Sequence, residues 1–153
     1  MSQLRKHSVF LELEEAKSFK AKSSFGYTFC VDGFNDDNGQ GVSPMELLII
    51  GTGGCSGVDI ISILKSDSEK LVSFTIQVAG ERNMSETPAY FRSIHLNYQV
   101  KGNVNLDKLV RAIQLSLEKY CTVGKTLEAF AKITWNLNLN GENYSPTELS
   151  KKR

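Results

Sequence analysis

The sequence predicts an α+β fold in which antiparallel sheets pack around a long central helix. Three observations carry this. Strand-like alternation fills the first thirty residues and returns in three later segments. One long apolar stretch, residues 43–65, opens on a helix-start signal, and a second helical stripe separates the last two strand signals.

Val9, Leu11 and Leu13 interleave with Phe10, Glu12 and Glu14, the period of a strand. Residues 18–23 (SFKAKS) and 27–33 (YTFCVDG) read as two more short strands, with turns near 15–17 and 24–26. Residues 34–42, FNDDNGQGV, are rich in Asn, Asp and Gly and read as a loop. The first helix then opens on Ser43-Pro44-Met45-Glu46. Ser43 suits the N-cap, Pro44 the first helical position, and Glu46 the carboxylate of a capping box. This helix is expected to end near Lys65, ahead of the charged SDSEK segment.

Residues 70–82 and 90–101 alternate strongly and predict a long hairpin across a turn that contains Pro88. Asn105 can cap a second helix over 106–120, whose stripe is Leu106, Leu109, Val110, Ile113 and Leu117. A short third helix is expected over 122–131 after a break at Cys121, then a last strand over 132–139. Residues 140–153 are polar and read as a frayed tail, so one domain, 1–153, is expected with its core at about 8–139. The apolar helix carries more surface than one small sheet covers, and a homodimer would bury the excess.

Eighteen basic against seventeen acidic residues give a net charge of +1, which offers no electrostatic case for nucleic acid or anionic membranes. No run reaches the roughly 20 consecutive apolar residues of a membrane helix. The first ten residues lack an apolar signal core, so a cytoplasmic location is expected. The three cysteines, Cys30, Cys55 and Cys121, form no C-x-x-C pair and read as reduced thiols. The histidines, His7 and His95, are not spaced as zinc ligands, and neither metal nor organic cofactor is expected.

Within the apolar helix, Gly51, Gly53, Gly54 and Gly57 surround Cys55. Each glycine inside a helix costs about 1 kcal/mol relative to alanine, so the cluster implies a compensating need, most simply another backbone close to the thiol. Cys55 is either a small core side chain or a nucleophile approached by a substrate. Cys121, at the helix break with Lys125 a turn further on, is either a packing residue or a second thiol for Cys55. Cys30 reads as packing, and Glu118 and Lys119 as surface charges.

The segment S-P-x-E-L-L-x-x-x-x-G-G-C-S-x-x-D-I-I-S-I-L, with L-S-x-E-K-Y-C-x-V further on, resembles the OsmC/Ohr family, the osmotically inducible and organic hydroperoxide resistance proteins. The matching residues run from Ser43 to Leu64, with Gly53, Gly54, Cys55, Ser56 and Asp59 among them, and from Leu115 to Val123 around Cys121. Similar element order extends the resemblance over about residues 9–139, closer to a divergent OsmC-like subgroup. It implies an intertwined homodimer with a two-cysteine site at each subunit interface. Cys55 would be the peroxidatic thiolate and Cys121 the resolving thiol. A dithiol reductant, small molecule or protein, would reset the pair.

That chemistry calls for a cation beside the thiol. The best-characterised branches carry a glutamate directly after the motif proline, paired with an arginine from the N-terminal half. This chain has Met45 there. Glu46, one residue on, is more naturally a cap. Arg5 has no evident match to that arginine, and Arg82 and Arg92 are the alternatives, Arg82 in a G-E-R segment. Asp59, one turn after Cys55, suits a cap or a bridge across the dimer. The site residues expected are therefore Cys55 and Cys121, with Arg82 and Glu46 as further candidates. The function expected is a thiol peroxidase acting on organic hydroperoxides. The alternative is a dimeric binding module for a hydrophobic or electrophilic small molecule with little turnover.

Overall fold

A computed structural model describes residues 4–33 and 39–147, in two units, Met1–Leu48 and Ile49–Arg153. In the first unit the early alternation becomes an antiparallel sheet of β1 (Phe10–Glu15), β2 (Ser18–Lys22) and β3 (Thr28–Asp32), in the order β1-β2-β3. Ala16, at φ 43°, makes the first tight turn. Much of this sheet's apolar surface is open: Phe10, Leu11, Leu13, Phe19 and Phe29 are 38–61% exposed. Cys30 is a packing residue, its Sγ 3.0 Å from Ser18 Oγ and backed by Gly41, where a Cβ would lie 2.6 Å from the Cys30 carbonyl oxygen. Of the expected loop at 34–42, residues 34–38 lie outside the described residues, and Val42 bridges Val31.

Helix α1 (Pro44–Leu64) opens with the reciprocal capping box that the sequence predicts. The Ser43 N–H donates to Glu46 Oε2 (2.9 Å), and the Glu46 N–H donates to Ser43 Oγ (3.2 Å). A 3₁₀ segment, Lys65–Lys70, continues it. Asp67 in this segment is buried and accepts from Lys108 and Lys70, both at 2.6 Å, and these bonds hold its carboxyl down at about 2. Taken together, Pro44–Lys70 is long and apolar enough to cross a membrane by length and composition. The buried side of α1 consists of Thr52, Gly53, Ser56, Ile60 and Leu64, and includes two hydroxyls.

The second unit is built on β4 (Leu71–Arg82), β5 (Phe91–Gly102), α2 (Leu106–Leu115), α3 (Thr122–Leu127), β6 (Lys132–Leu139) and β7 (Glu142–Tyr144). The sheet order is β4-β5-β6-β7. The predicted hairpin forms from Leu71↔Gly102 to Arg82↔Phe91. Ile94, Leu96, Tyr98 and Val100 of β5 turn one face inward with Leu137 and Leu139 of β6, and α2 contributes Leu109, Ala112 and Ile113 to the buried core.

Three details differ from the sequence reading. First, β5 and β6 are parallel, so this sheet is mixed: the chain returns through α2 and α3 as a crossover rather than a hairpin. Second, part of the expected tail is ordered, because Gly141 at φ +95° turns the chain so that β7 pairs with β6. Third, the second helix stops at Leu115 and continues as a π turn, Ser116–Tyr120, while α3 ends at Leu127.

Two of the four glycines around Cys55 also have a different cause from the expected backbone approach. A Cβ at Gly53 would lie 2.8 Å from Val78 Cγ2, and one at Gly57 3.0 Å from Ile76 Cδ1. What comes close is the branched side chains of β4, which α1 could not approach so nearly with alanine. Gly53→Ala is therefore expected to destabilise the protein by about 1–3 kcal/mol through overpacking, outweighing its gain in helix propensity. Urea unfolding checks this; a midpoint at or above that of the wild type would contradict it.

Candidate active site

The functional side chains all sit in the second unit, on three elements. Cys55 and Asp59 are one helical turn apart on α1 and share a face. Cys121 follows the π turn, closed by its own N–H donating to the Ser116 carbonyl at 2.7 Å. That extra residue per turn brings both Ser116 and Cys121 toward α1. The Cys55 sulfur, the Cys121 sulfur and an Asp59 carboxylate oxygen lie within 4.8 Å of one another. The two cysteines proposed from the sequence are thus brought together, both as free thiols.

Their surroundings are unequal. Cys55 is half-buried, whereas Cys121 is 0% exposed. The Cys121 sulfur lies 3.8 Å from the Thr52 carbonyl oxygen and accepts from the Gly124 N–H at 3.4 Å. Burial pushes its pKa up to about 11; the Gly124 bond works against this, and Cys55 and Asp59 add to it. Cys121 is therefore a protonated thiol at neutral pH.

Beneath the thiols runs a buried chain of hydroxyls. Tyr98 Oη lies 2.6 Å from Ser56 Oγ, Ser56 Oγ 3.2 Å from Ser116 Oγ, and Ser116 Oγ donates to Asp59 Oδ2 at 3.0 Å. The bond between Ser56 and Tyr98 can be donated from either hydroxyl. Tyr98 is fully buried, and its burial raises its pKa, which keeps it protonated. Among the described residues no buried side-chain oxygen or nitrogen is left without a partner.

The other candidates are engaged elsewhere. Arg82 Nε donates to the Ala89 carbonyl at 2.9 Å, across the hairpin turn with its cis Thr87–Pro88 bond. Arg92 pairs with Glu86 in the same turn. Glu46 forms the α1 cap. The sequence reading missed Ser56, Ser116 and Tyr98. Tyr98 left a signal, a phenol among the inward positions of an otherwise apolar strand, which requires a buried partner.

Comparison with known proteins identifies the family and the fold. Residues 36–136 match the family model described as OsmC-like protein. Protein YhfA of Escherichia coli K12 is 36% identical over 121 residues, covering 78% of this chain and 88% of YhfA. The crystal structure of a hypothetical protein from Aquifex aeolicus VF5 superposes with a TM-score of 0.75 at 31% identity, over 90% of this chain and 99% of that one. An organic hydroperoxide resistance protein from Elizabethkingia anophelis shares the fold, with a TM-score of 0.69 at 16% identity over 92% and 100% of the two chains. The chain belongs to the OsmC-like family.

Proposed function

We propose that this protein is a thiol-dependent peroxidase for organic hydroperoxides, with Cys55 as the attacking thiolate and Cys121 as the resolving thiol. The observation that carries the reading is the pair itself: two sulfurs within 4.8 Å, one half-buried and one fully enclosed. The thiolate of Cys55 attacks the outer peroxide oxygen, the O–O bond breaks, and the alkoxide leaves as an alcohol after taking a proton. Cys55 is then a sulfenic acid. Cys121 attacks that sulfur, its proton joins the departing hydroxide as water, and a Cys55–Cys121 disulfide forms. A dithiol reductant accepts the oxidation in turn. Likeness to the Elizabethkingia protein supports the substrate class.

In this reading Glu46 and Arg82 act as a helix cap and a hairpin tie. That favours a second reading as well, a dimeric binding module for a hydrophobic or electrophilic small molecule with little turnover. We place the protein in the cytoplasm, where such thiols stay reduced. A homodimer supplies cover for the open apolar side chains of β1–β3 and for Ile50, Val58 and Ile61 of α1.

Treating the reduced protein with stoichiometric cumene hydroperoxide is expected to remove two hydrogens from its intact mass within seconds. Cys55→Ser and Cys121→Ser are expected to abolish that loss. Slow, unselective oxidation in all three proteins would leave the binding module as the function. Native mass is expected to be twice that of the chain; a monomer would refute the dimer.

The Cys121 thiol adds a pH dependence. Its folded-state pKa, about 11, lies above its ordinary value of 9. The protonated group therefore contributes stability that is fully present below pH 9 and lost as pH rises through 11. Reduced wild-type protein is expected to lose stability more steeply across that window than Cys121→Ala. Parallel melting-temperature profiles would contradict the assignment.

A further inference from the structure

The spacing of the histidines offers no zinc motif, and in the fold His95 is occupied, with its two ring nitrogens against Thr134 Oγ1 (2.8 Å) and Asn136 Oδ1 (2.9 Å). The donors that do converge come from residues far apart in sequence. We propose that Cys55, Asp59 and Cys121 form a binding site for a thiophilic divalent cation, Zn²⁺ being the best fit, with the fourth coordination position open.

Donor chemistry favours this ion. Two sulfurs and one carboxylate oxygen match Zn²⁺, whereas Mg²⁺ and Ca²⁺ require all-oxygen sets. Geometry also fits. Tetrahedral zinc with Zn–S near 2.3 Å and Zn–O of about 2.0–2.2 Å needs donors roughly 3.5–3.8 Å apart. The three donor atoms all lie within 4.8 Å of one another, close to that spacing. Cys55 and Asp59 sit at i and i+4 on one rigid helix, so two of the three ligands are held in fixed relation.

The surroundings support the ligands in the way metal sites require. Ser116 holds Asp59 Oδ2 at 3.0 Å and so fixes the carboxylate plane. The Gly124 N–H donates to the Cys121 sulfur, a bond that steadies a coordinated thiolate. Charge points the same way. Among the described residues Asp59 makes no ion pair, its hydrogen bond coming from a neutral hydroxyl. A carboxylate beside two thiols, with no cation to balance it, is a setting that a divalent ion neutralises. The half-buried Cys55 leaves a route for the ion and for a water or anion in the open position.

The test uses the reduced 153-residue chain without peroxide. Titration with ZnCl₂ by calorimetry is expected to saturate at one ion per chain. Replacing zinc with Co²⁺ is expected to give a sulfur-to-cobalt charge-transfer band in the near ultraviolet and intense tetrahedral bands in the visible. Cys55→Ser and Cys121→Ser are each expected to remove the charge-transfer intensity of one thiolate and weaken binding. Asp59→Asn, with both thiols intact, is expected to weaken zinc about tenfold or more. Saturation well below one ion per chain, no charge-transfer band, or unchanged affinity in Cys55→Ser would overturn the site; unchanged affinity in Asp59→Asn would remove the carboxylate from it. No readout involves peroxide, so failure of the metal site and failure of the peroxidase reading are separable results.

Discussion

The hydroxyl chain from Tyr98 through Ser56 and Ser116 to Asp59 sets where the two thiols meet. It links a central strand, the long helix and the π turn, three elements that carry all the reactive groups. Each member is buried or nearly so, and a buried hydroxyl left unpaired costs about 1–3 kcal/mol. The chain therefore tolerates little slippage of α1 along the sheet. A shift of one residue would carry Ser56 about 100° round the helix and away from Tyr98. Cys55 and Asp59 are fixed by the same constraint, since they flank Ser56 on one rigid helix.

The glycines make that register possible. Gly53 and Gly57 let α1 settle against Val78 and Ile76, and only at that depth can Ser56 reach a phenol on the neighbouring strand. Their cost in helix propensity is thus offset by packing and by a satisfied polar chain. Gly54 is a separate case. Nothing lies within 4 Å of a Cβ built there, and the residue is exposed on the same helix as Ile50, Val58 and Ile61. The homodimer proposed above would give this face its cover.

Much of this architecture was legible in the residues because it depends on local rules. The capping box at Ser43 and Glu46, the alternation of β4 and β5 and the stripe of α2 each need only neighbouring side chains. The Cys55–Cys121 pairing was legible only through two motifs taken together. What escaped is non-local. The parallel register of β5 and β6 depends on the length of the crossover, and β7 on a left-handed Gly141 followed by only three paired residues. The π turn leaves no periodic signal, because one inserted residue looks like a helix end. The Ser56–Ser116 contact joins residues 60 positions apart, and serine is too common to mark it.

The difference between the two thiols decides which reaction the site favours. Cys121 is enclosed and protonated, so it cannot compete as the first nucleophile for a peroxide arriving from solvent. In the peroxidase proposed above it would become reactive only once Cys55 had turned electrophilic as a sulfenic acid, where proximity replaces intrinsic nucleophilicity. The same enclosure would shield it from direct oxidation, so the second step of the proposed cycle would have a reduced partner waiting. A carboxylate beside the pair is poorly explained by that sequence alone, since it disfavours thiolate formation at its neighbour Cys121. It is well explained by a cation that all three groups share, which would stabilise both thiolates at once. Peroxide attack and metal coordination, as proposed, draw on the same sulfur lone pairs, so the site would do them alternately.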